Sequence, residues 1–189
     1  MIKKKNVTLT GNQSILLQGM AMGSLIAELQ NSKFINSDYF DKMHFDNESH
    51  KKIIRLSGIG NPATMHFMLY VYLVMPKEML PRDRYSKLLK EYKELNIYIA
   101  MVVEKETFST YPGEEYLNSI DYCHHLRNSI AHSKSIFEVK NNISYVTFID
   151  ERKNDNRECK IKIQTIMVGE ILNKLQEILN RYFINALYY

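Results

Sequence analysis

Glycine and proline are scarce in this sequence, which has seven glycines and four prolines among 189 residues. Sandwiches and barrels of many short strands need such residues in their frequent turns, so the shortage disfavours those folds and favours long helices. Long apolar runs are also missing. The best candidate, residues 67–75, falls well short of the roughly 18 residues that a membrane span requires, so we expect no membrane segment.

Cysteine is equally rare. Cys123 and Cys159 are the two in the chain, and their separation matches neither a zinc-finger spacing nor a disulfide framework. The first residues resemble the start of a signal peptide, but polar residues interrupt the apolar core that such a peptide needs. Reduced cysteines and the lack of a recognisable leader predict a cytoplasmic protein.

The composition is that of a folded protein with a single core. Hydrophobic residues make up 45% of the chain and charged residues 24%, which leaves enough apolar surface to bury and too little charge for disorder. We expect one domain over residues 1–189, with residues 1–12 as a flexible or strand-like arm. The formal net charge of +4 mildly favours an acidic partner such as RNA.

Apolar residues recur at three- and four-residue intervals in several segments, which predicts α-helices. The predicted ranges are 14–29, 61–74, 83–104 and 168–187, with short helices at 37–40 and 51–55. Asn61 before Pro62 is a typical helix start, and Asp83 is a predicted N-cap. Pro76 should end the apolar central helix near Val74, because the residue before a proline disfavours helical geometry.

The period changes to two over residues 143–149 and again over 159–163, which predicts two strands joined by a polar turn. Residues 136–140 are expected to add a third strand through a turn at Asn141 and Asn142. The predicted fold class is therefore mainly α, a helical bundle with a β-hairpin inserted before the C-terminal helix.

Residues 116–134 contain no glycine or proline and are predicted to form one helix. At about 100° per residue, Arg127 falls among the apolar residues of this helix, where a guanidinium needs a partner. The opposite face carries a polar stripe that includes Asp121, His125, Asn128 and His132.

Residues 127–132 of this segment read Arg-Asn-Ser-Ile-Ala-His. An arginine and a histidine separated by four residues, with asparagine directly after the arginine, resemble the motif of the HEPN superfamily. The layout is also similar to that superfamily, in which an up-and-down helical bundle carries the motif on a late helix. Active members are metal-independent ribonucleases, typically dimers in which two motif copies face one cleft. The resemblance therefore implies a homodimeric endoribonuclease that acts on RNA without a cofactor.

The residue types suit that chemistry. An imidazole such as that of His132 can accept the 2′-hydroxyl proton or protonate the leaving oxygen, while the guanidinium of Arg127 can hold the phosphate. Arg127 and His132 lie about 140° apart around an ideal helix, so a second copy across a twofold axis is expected to complete the site. Asn128 is a candidate to orient His132. The auxiliary candidates are His125, Asp121 as its hydrogen-bond partner, and Lys134 as a phosphate contact.

Structural roles stay open for each residue. His132 can interact with the helix dipole, Arg127 can belong to a buried ion pair, and His125 can be a surface histidine. A zinc site is disfavoured because adjacent positions of a helix diverge by about 100°. Its candidate ligands would be Cys123, His124, His125, His132 and Cys159.

The rival function is a non-catalytic, dimeric HEPN-like module that binds a partner, a nucleotide or RNA. Some HEPN proteins carry a tyrosine two residues after the motif histidine, which a partner nucleotidyltransferase antitoxin modifies. Lys134 occupies that position here, which argues against regulation by that route. The sequence leaves open whether a cognate antitoxin exists, and whether the activity serves toxin–antitoxin systems, phage defence or RNA processing.

Overall fold

The computed structural model describes residues 10–188, with side chains as far as residue 183. Most of the predicted N-terminal arm, residues 1–9, lies outside this range. The helices are α1 (Gly11–Asn31), α2 (Asp38–Lys42), α3 (Glu48–Ser57), α4 (Pro62–Leu69), α5 (Met75–Met79), α6 (Arg82–Val102), α7 (Tyr122–Ala131) and α8 (Thr165–Tyr188). The strands are β1 (Phe108–Ser109), β2 (Ser135–Lys140), β3 (Ile143–Arg152) and β4 (Arg157–Gln164).

Local hydrogen bonds decide where the helices begin. α1 starts before the predicted residue 14, because Thr10 and Gln13 form a reciprocal capping box at its N-terminus. The predicted start of α4 is confirmed, since the side chain of Asn61 accepts a hydrogen bond from Thr64 N at 3.1 Å. The prediction for α6 is wrong by a residue or two: the helix already includes Asp83, and Pro81 takes the N-cap position.

The central helix continues past Pro76, contrary to the prediction that it ends near Val74. The backbone widens into a π-helical turn at Tyr70–Val74 and then resumes as α5. Proline has no N–H to donate to the carbonyl four residues earlier, which is that of Tyr72. The hydroxyl of Tyr92 donates to this carbonyl instead, at 3.0 Å. A side chain from α6 therefore supplies the hydrogen bond that the proline cannot make.

The sheet has the strand order β1-β4-β3-β2, and each neighbouring pair is antiparallel. The predicted hairpin and third strand are confirmed as β3, β4 and β2. Asn141 and Asn142 connect β2 to β3 with φ angles of 52° and 62°, a left-handed conformation that asparagine tolerates better than most residues. The sequence does not predict β1, which is too short to show a period.

A single buried cluster joins the helices to the sheet. Val146, Phe148, Ile161 and Ile163 line the inner face of the sheet and belong to the same cluster as the apolar faces of α6, α7 and α8. The mainly α class with a small antiparallel sheet is thus confirmed, while the up-and-down order of the helices stays a prediction. Within residues 10–188, no helix combines the length and apolarity of a membrane span.

Candidate functional site

The helix that carries the predicted motif, α7, is shorter than the predicted range 116–134. It begins at Tyr122, after a 3-10 turn at Leu117–Ser119, and ends at Ala131. Asp121 is its N-cap, and the Asp121 carboxylate accepts a hydrogen bond from His124 N at 3.1 Å. A short acidic side chain satisfies a free N–H well at this position. The Asp121 carboxylate therefore caps the helix, and the ring nitrogens of His125 lie against Asp150 and Glu114 rather than against Asp121 as predicted.

Two side chains from other elements help to fix this helix start. Asn96 of α6 accepts a hydrogen bond from Cys123 N at 2.8 Å. Glu114, in the loop after β1, accepts one from Asp121 N at 3.1 Å through Oε1. These bonds satisfy N–H groups that the first turn of a helix leaves free, so the start of α7 depends on residues distant in sequence.

His125 is buried between two carboxylates. Its Nδ1 lies 2.7 Å from Asp150 Oδ2, and its Nε2 lies 2.8 Å from Glu114 Oε2. An ionised carboxylate can only accept hydrogen bonds, so both ring nitrogens donate and the ring is an imidazolium. The residue is 1% exposed. His125 is therefore not the surface histidine that the sequence leaves open, but the centre of a buried ionic triad.

The pKa values agree with this charge assignment. Burial acts to lower the pKa of His125, but the hydrogen bonds to Asp150 and Glu114 outweigh it, and the pKa is raised. Burial acts to raise the pKa of Asp150, but hydrogen bonds from His125 and Asn128 prevail and lower it. Each partner thus stabilises the charged form of the other.

Asn128 connects this triad to Arg127. Its Nδ2 donates to Asp150 Oδ2 at 2.9 Å, and its Oδ1 accepts from Arg127 Nη2 at 2.9 Å. Because Asp150 can only accept, the orientation of the amide is fixed. Asn128 therefore positions the guanidinium, rather than orienting His132 as predicted.

The partners of the Arg127 guanidinium within the described part of the chain are all neutral. Besides Asn128, it donates to Tyr85 Oη at 3.1 Å through Nη1, and its Nη2 lies 3.1 Å from His124 Nδ1. Arg127 is only 9% exposed, yet no carboxylate among the described side chains lies within ion-pair distance of it. These contacts use three of its five N–H donors. Arg127 is thus a nearly buried cation that has no anionic partner between residues 10 and 183.

His124 has two donors facing its ring. Arg127 Nη2 approaches its Nδ1, and Asn128 Nδ2 approaches its Nε2, both at 3.1 Å. A neutral imidazole has one acceptor nitrogen, so only one of the two contacts can be a hydrogen bond. Burial and the charges of Arg127 and His125 lower the pKa of His124. The ring is half-buried and neutral at neutral pH. One of its two nitrogens therefore faces a donor with which it cannot form a hydrogen bond.

His132 and Lys134 lie apart from this cluster. His132 is the exposed C-cap of α7, and the side-chain hydrogen bonds of Arg127 within the described residues go to Tyr85, His124 and Asn128. Lys134 pairs with Glu151 at 2.7 Å, so its charge is already balanced by a carboxylate. One copy of the chain therefore brings Arg127 and Asn128 together but leaves His132 separate.

Sequence patterns miss four members of the network: Glu114, Asp150, Tyr85 and the role of His124. A signal exists for Asp150, because Val146, Phe148 and Asp150 occupy the same alternating positions of β3 and are all buried. A carboxylate in phase with inward apolar residues indicates a buried charge that needs a partner. Glu114 lies in a loop without a period, where the sequence offers no comparable signal.

Two groups of side chains have donor atoms close enough to hold a metal ion. In each group the donor atoms lie within 4.8 Å of one another: Glu114, His125 and Cys159 in one, and His124, His125 and Asp150 in the other. The zinc set weighed from the sequence, with Cys123 and His132, is not among the groups found in the described residues. Both ring nitrogens of His125 already lie at hydrogen-bond distance from carboxylates. A metal ion bound there would have to displace one of those hydrogens.

Comparison with protein families gives a match over nearly the whole chain. The family model described as HEPN pEK499 p136 matches residues 8–186, and the chain belongs to this family. Membership indicates a nuclease-related, RNA-related or nucleotide-binding module. Searches of curated proteins and of solved structures gave no significant match.

Proposed function

We propose that this protein is a metal-independent endoribonuclease of the HEPN type that acts as a homodimer. Arg127 holds the scissile phosphate, Asn128 positions Arg127, and His132 transfers a proton during attack by the ribose 2′-hydroxyl on phosphorus. The products are a 2′,3′-cyclic phosphate and a 5′-hydroxyl. Asp121, His125 and Lys134 have structural parts in this proposal, as a helix cap, an ionic link and an ion-pair partner.

The observation that carries the proposal is the unbalanced charge of Arg127. A buried cation is costly unless an anion or several hydrogen bonds compensate it, and Arg127 has only neutral partners among the described side chains. A phosphodiester supplies the missing negative charge in a planar, bidentate geometry that suits a guanidinium. Exposed basic residues along the outer surface of α6 favour the rest of the RNA backbone; they are Arg82, Arg84, Lys87, Lys90 and Lys93.

In a dimer, Arg127 of one copy and His132 of the other can contact the same phosphodiester. Side chains of a helix lean toward its N-terminus, and the guanidinium accordingly contacts His124, one turn before it. His132 lies one turn beyond, at the opposite end of α7. Two antiparallel copies of α7 related by a twofold axis would bring His132 of each copy toward Arg127 of the other.

The separation of Arg127 from His132 also favours a second candidate function. A non-catalytic HEPN module would use the same guanidinium to bind a nucleotide or an RNA phosphate, without proton transfer. In that case His132 serves only as the C-cap of α7, where a histidine interacts favourably with the helix dipole. The two candidates differ in whether bound RNA is cleaved.

Cleavage of a short RNA by the purified protein tests the proposal. We expect a 2′,3′-cyclic phosphate product, an unchanged rate in EDTA, and no cleavage where the nucleotide before the scissile bond is 2′-deoxy. His132→Ala should lower the rate by about 10²- to 10⁴-fold, because proton transfer is lost, whereas the exposed His50→Ala should not. Arg127→Lys should also lose activity, since an ammonium cannot reproduce the guanidinium fork, while Arg55→Lys, at an exposed position of α3, serves as its control.

The melting temperature of each variant separates lost chemistry from lost folding. His132 is exposed, so His132→Ala should melt like the wild type. If folded wild-type protein leaves RNA intact, or His132→Ala cleaves as fast as the wild type, the nuclease proposal is wrong and the binding module takes its place.

A further inference from the structure

His124 lies beside Arg127, but it is not part of the predicted Arg127–His132 motif. It is the half-buried histidine whose Nδ1 lies 3.1 Å from Arg127 Nη2. A phosphate oxygen held by that guanidinium would also lie within reach of the imidazole, because Arg127 Nη2 and His124 Nδ1 are neighbouring atoms. The hydroxyl of Tyr85, on α6, contacts the same guanidinium at 3.1 Å from Arg127 Nη1.

The ring of His124 faces more donors than it can accept from, and a bound phosphodiester would draw one of them away. Two donors face its two ring nitrogens, and a neutral ring can accept from only one. If Arg127 turns its Nη2 hydrogens toward a phosphate, His124 Nδ1 is released from that contact and becomes available to a substrate hydroxyl. Nδ1 can accept a proton only in the tautomer whose hydrogen lies on Nε2, so the 3.1 Å contact with Asn128 Nδ2 is then not a hydrogen bond.

We propose that His124 is a second histidine of the active site, and that it contacts the phosphodiester and takes the proton of the attacking 2′-hydroxyl. This proposal rests on the proposed nuclease function and deepens it, since it assigns separate groups to the two proton transfers. The lowered pKa of His124, caused by burial and by the charges of Arg127 and His125, keeps the ring unprotonated and able to act as a base.

The reaction then balances without any further group. O2′ forms a bond to phosphorus and gives its proton to His124 Nδ1, while the bond from phosphorus to O5′ breaks. A protonated His132 gives its proton to the departing O5′, and Arg127 stabilises the charge on the non-bridging oxygens. Solvent exchange afterwards removes the proton from His124 and returns one to His132.

The positions of the two histidines suit opposite roles. The attacking and leaving oxygens of a phosphoryl transfer lie on opposite sides of phosphorus, so the base and the acid must approach the phosphodiester from opposite sides. Within one copy the two histidines are about 12 Å apart along the helix axis, too far for one phosphodiester. The acid is therefore His132 of the partner subunit in the proposed dimer, with His124 and Arg127 from the same copy.

The protonation of His124 depends on charged groups from two elements. Arg127, His125 and Asp121 surround it on α7, and Asp150 faces it from β3. The cations lower its pKa and the carboxylates raise it. A bound phosphate would offset the effect of Arg127, so we expect the pKa of His124 to rise when RNA binds.

Histidine-ring NMR of the wild-type protein tests the contact directly. The probe is a single-stranded RNA oligonucleotide with 2′-fluoro at every ribose, which keeps the phosphodiesters but cannot be cleaved by 2′-attack. We expect the ring signals of His124 to shift on binding and its pKa to rise, while those of His50 in α3 stay unchanged. If the oligonucleotide does not bind, or binds without moving the His124 signals, the proposal is overturned.

Cleavage of natural RNA is measured in parallel, so the two proposals are judged separately. His124→Gln, which keeps a polar side chain but cannot exchange protons, should lose about 10²- to 10⁴-fold in rate, with His50→Gln unchanged. Cleavage at the wild-type rate by His124→Gln would leave the nuclease function standing and remove His124 from it. Shifted His124 signals without any cleavage by the wild type would instead support the phosphodiester contact and overturn the nuclease function.

Discussion

At the scale of single residues, His125 is the group on which the buried network depends. Its imidazolium separates two carboxylates, Glu114 and Asp150, that would otherwise face each other in the interior. It also links β3 to the loop after β1. Replacing the ring with a neutral side chain would leave the buried carboxylate of Asp150 and the partly buried one of Glu114 without a cation between them, and an uncompensated buried charge is strongly destabilising.

The stability of the protein should therefore depend on pH in a definite way. The raised pKa of His125 contributes stability that is fully present below about pH 6.5, the unfolded value, and is lost as the pH rises through the folded value. The lowered pKa of Asp150 contributes stability that is present above about pH 4 and is lost as the pH falls through its folded value. Both contributions are present together between these limits.

We predict that His125→Gln destabilises the protein by about 3–5 kcal/mol near pH 6, as measured by urea unfolding. The difference from the wild type should shrink at alkaline pH, because the wild type then loses its own imidazolium. His50→Gln, at an exposed position, is the control and should have no effect. A difference that grows with pH would contradict the charge assignment of the triad.

At the scale of secondary structure, the central helix depends on a neighbour to pass through Pro76. Tyr92 and Tyr72 are both buried tyrosines, but only Tyr92 has a hydrogen-bond partner, the carbonyl of Tyr72. The hydroxyl of Tyr72 has none among the side chains and backbone that the structure describes. The two residues therefore form a matched pair in which one hydroxyl stabilises a helix and the other does not.

We predict that Tyr92→Phe lowers the free energy of unfolding by about 1–3 kcal/mol, because a buried carbonyl next to the π-helical turn loses its donor. Tyr72→Phe removes a hydroxyl that has no partner, and it should leave stability unchanged or increase it. Chemical denaturation of both variants gives the comparison. Equal losses would show that the hydroxyl of Tyr92 has no special role at Pro76.

At the scale of the whole molecule, the proposed active site needs two copies of the chain. A single copy holds Arg127, Asn128 and His124 in one cluster and exposes His132 at the far end of α7. A monomer would therefore contain every required residue type without a complete site. This distinguishes the proposal from an enzyme with all its groups in one subunit.

We predict that two inactive variants restore activity when they are combined in one dimer. Arg127→Lys and His132→Ala, co-expressed with different affinity tags and purified as a heterodimer, should contain one intact composite site of two and reach about half of the wild-type rate. If each site were built within one subunit, both subunits of the heterodimer would be defective. An inactive heterodimer, or a wild-type protein that is monomeric by light scattering, would contradict the composite site.

The sequence predicts most helices and the three longer strands, because their signals are local. Periodicity locates α1, α6, α8 and the β3–β4 hairpin, and the Asn61-Pro62 pair marks the start of α4. The predictions fail where a distant side chain intervenes. The central helix continues through Pro76, since Tyr92 supplies a hydrogen bond from α6. The start of α7 is fixed in part by Asn96 and Glu114, whose side chains accept hydrogen bonds from its first N–H groups.

The sequence by itself determined the mainly helical class, the hairpin before the last helix, and Arg127 as a cation on an apolar face. These depend on the spacing of neighbouring residues and on the chemistry of single side chains. Only the tertiary structure decided that His125 is buried between carboxylates, that Asn128 serves Arg127, and that His124 lies beside the guanidinium. The reason is physical: burial and protonation depend on groups supplied by α6, β3 and the loop after β1, which no pattern within α7 contains.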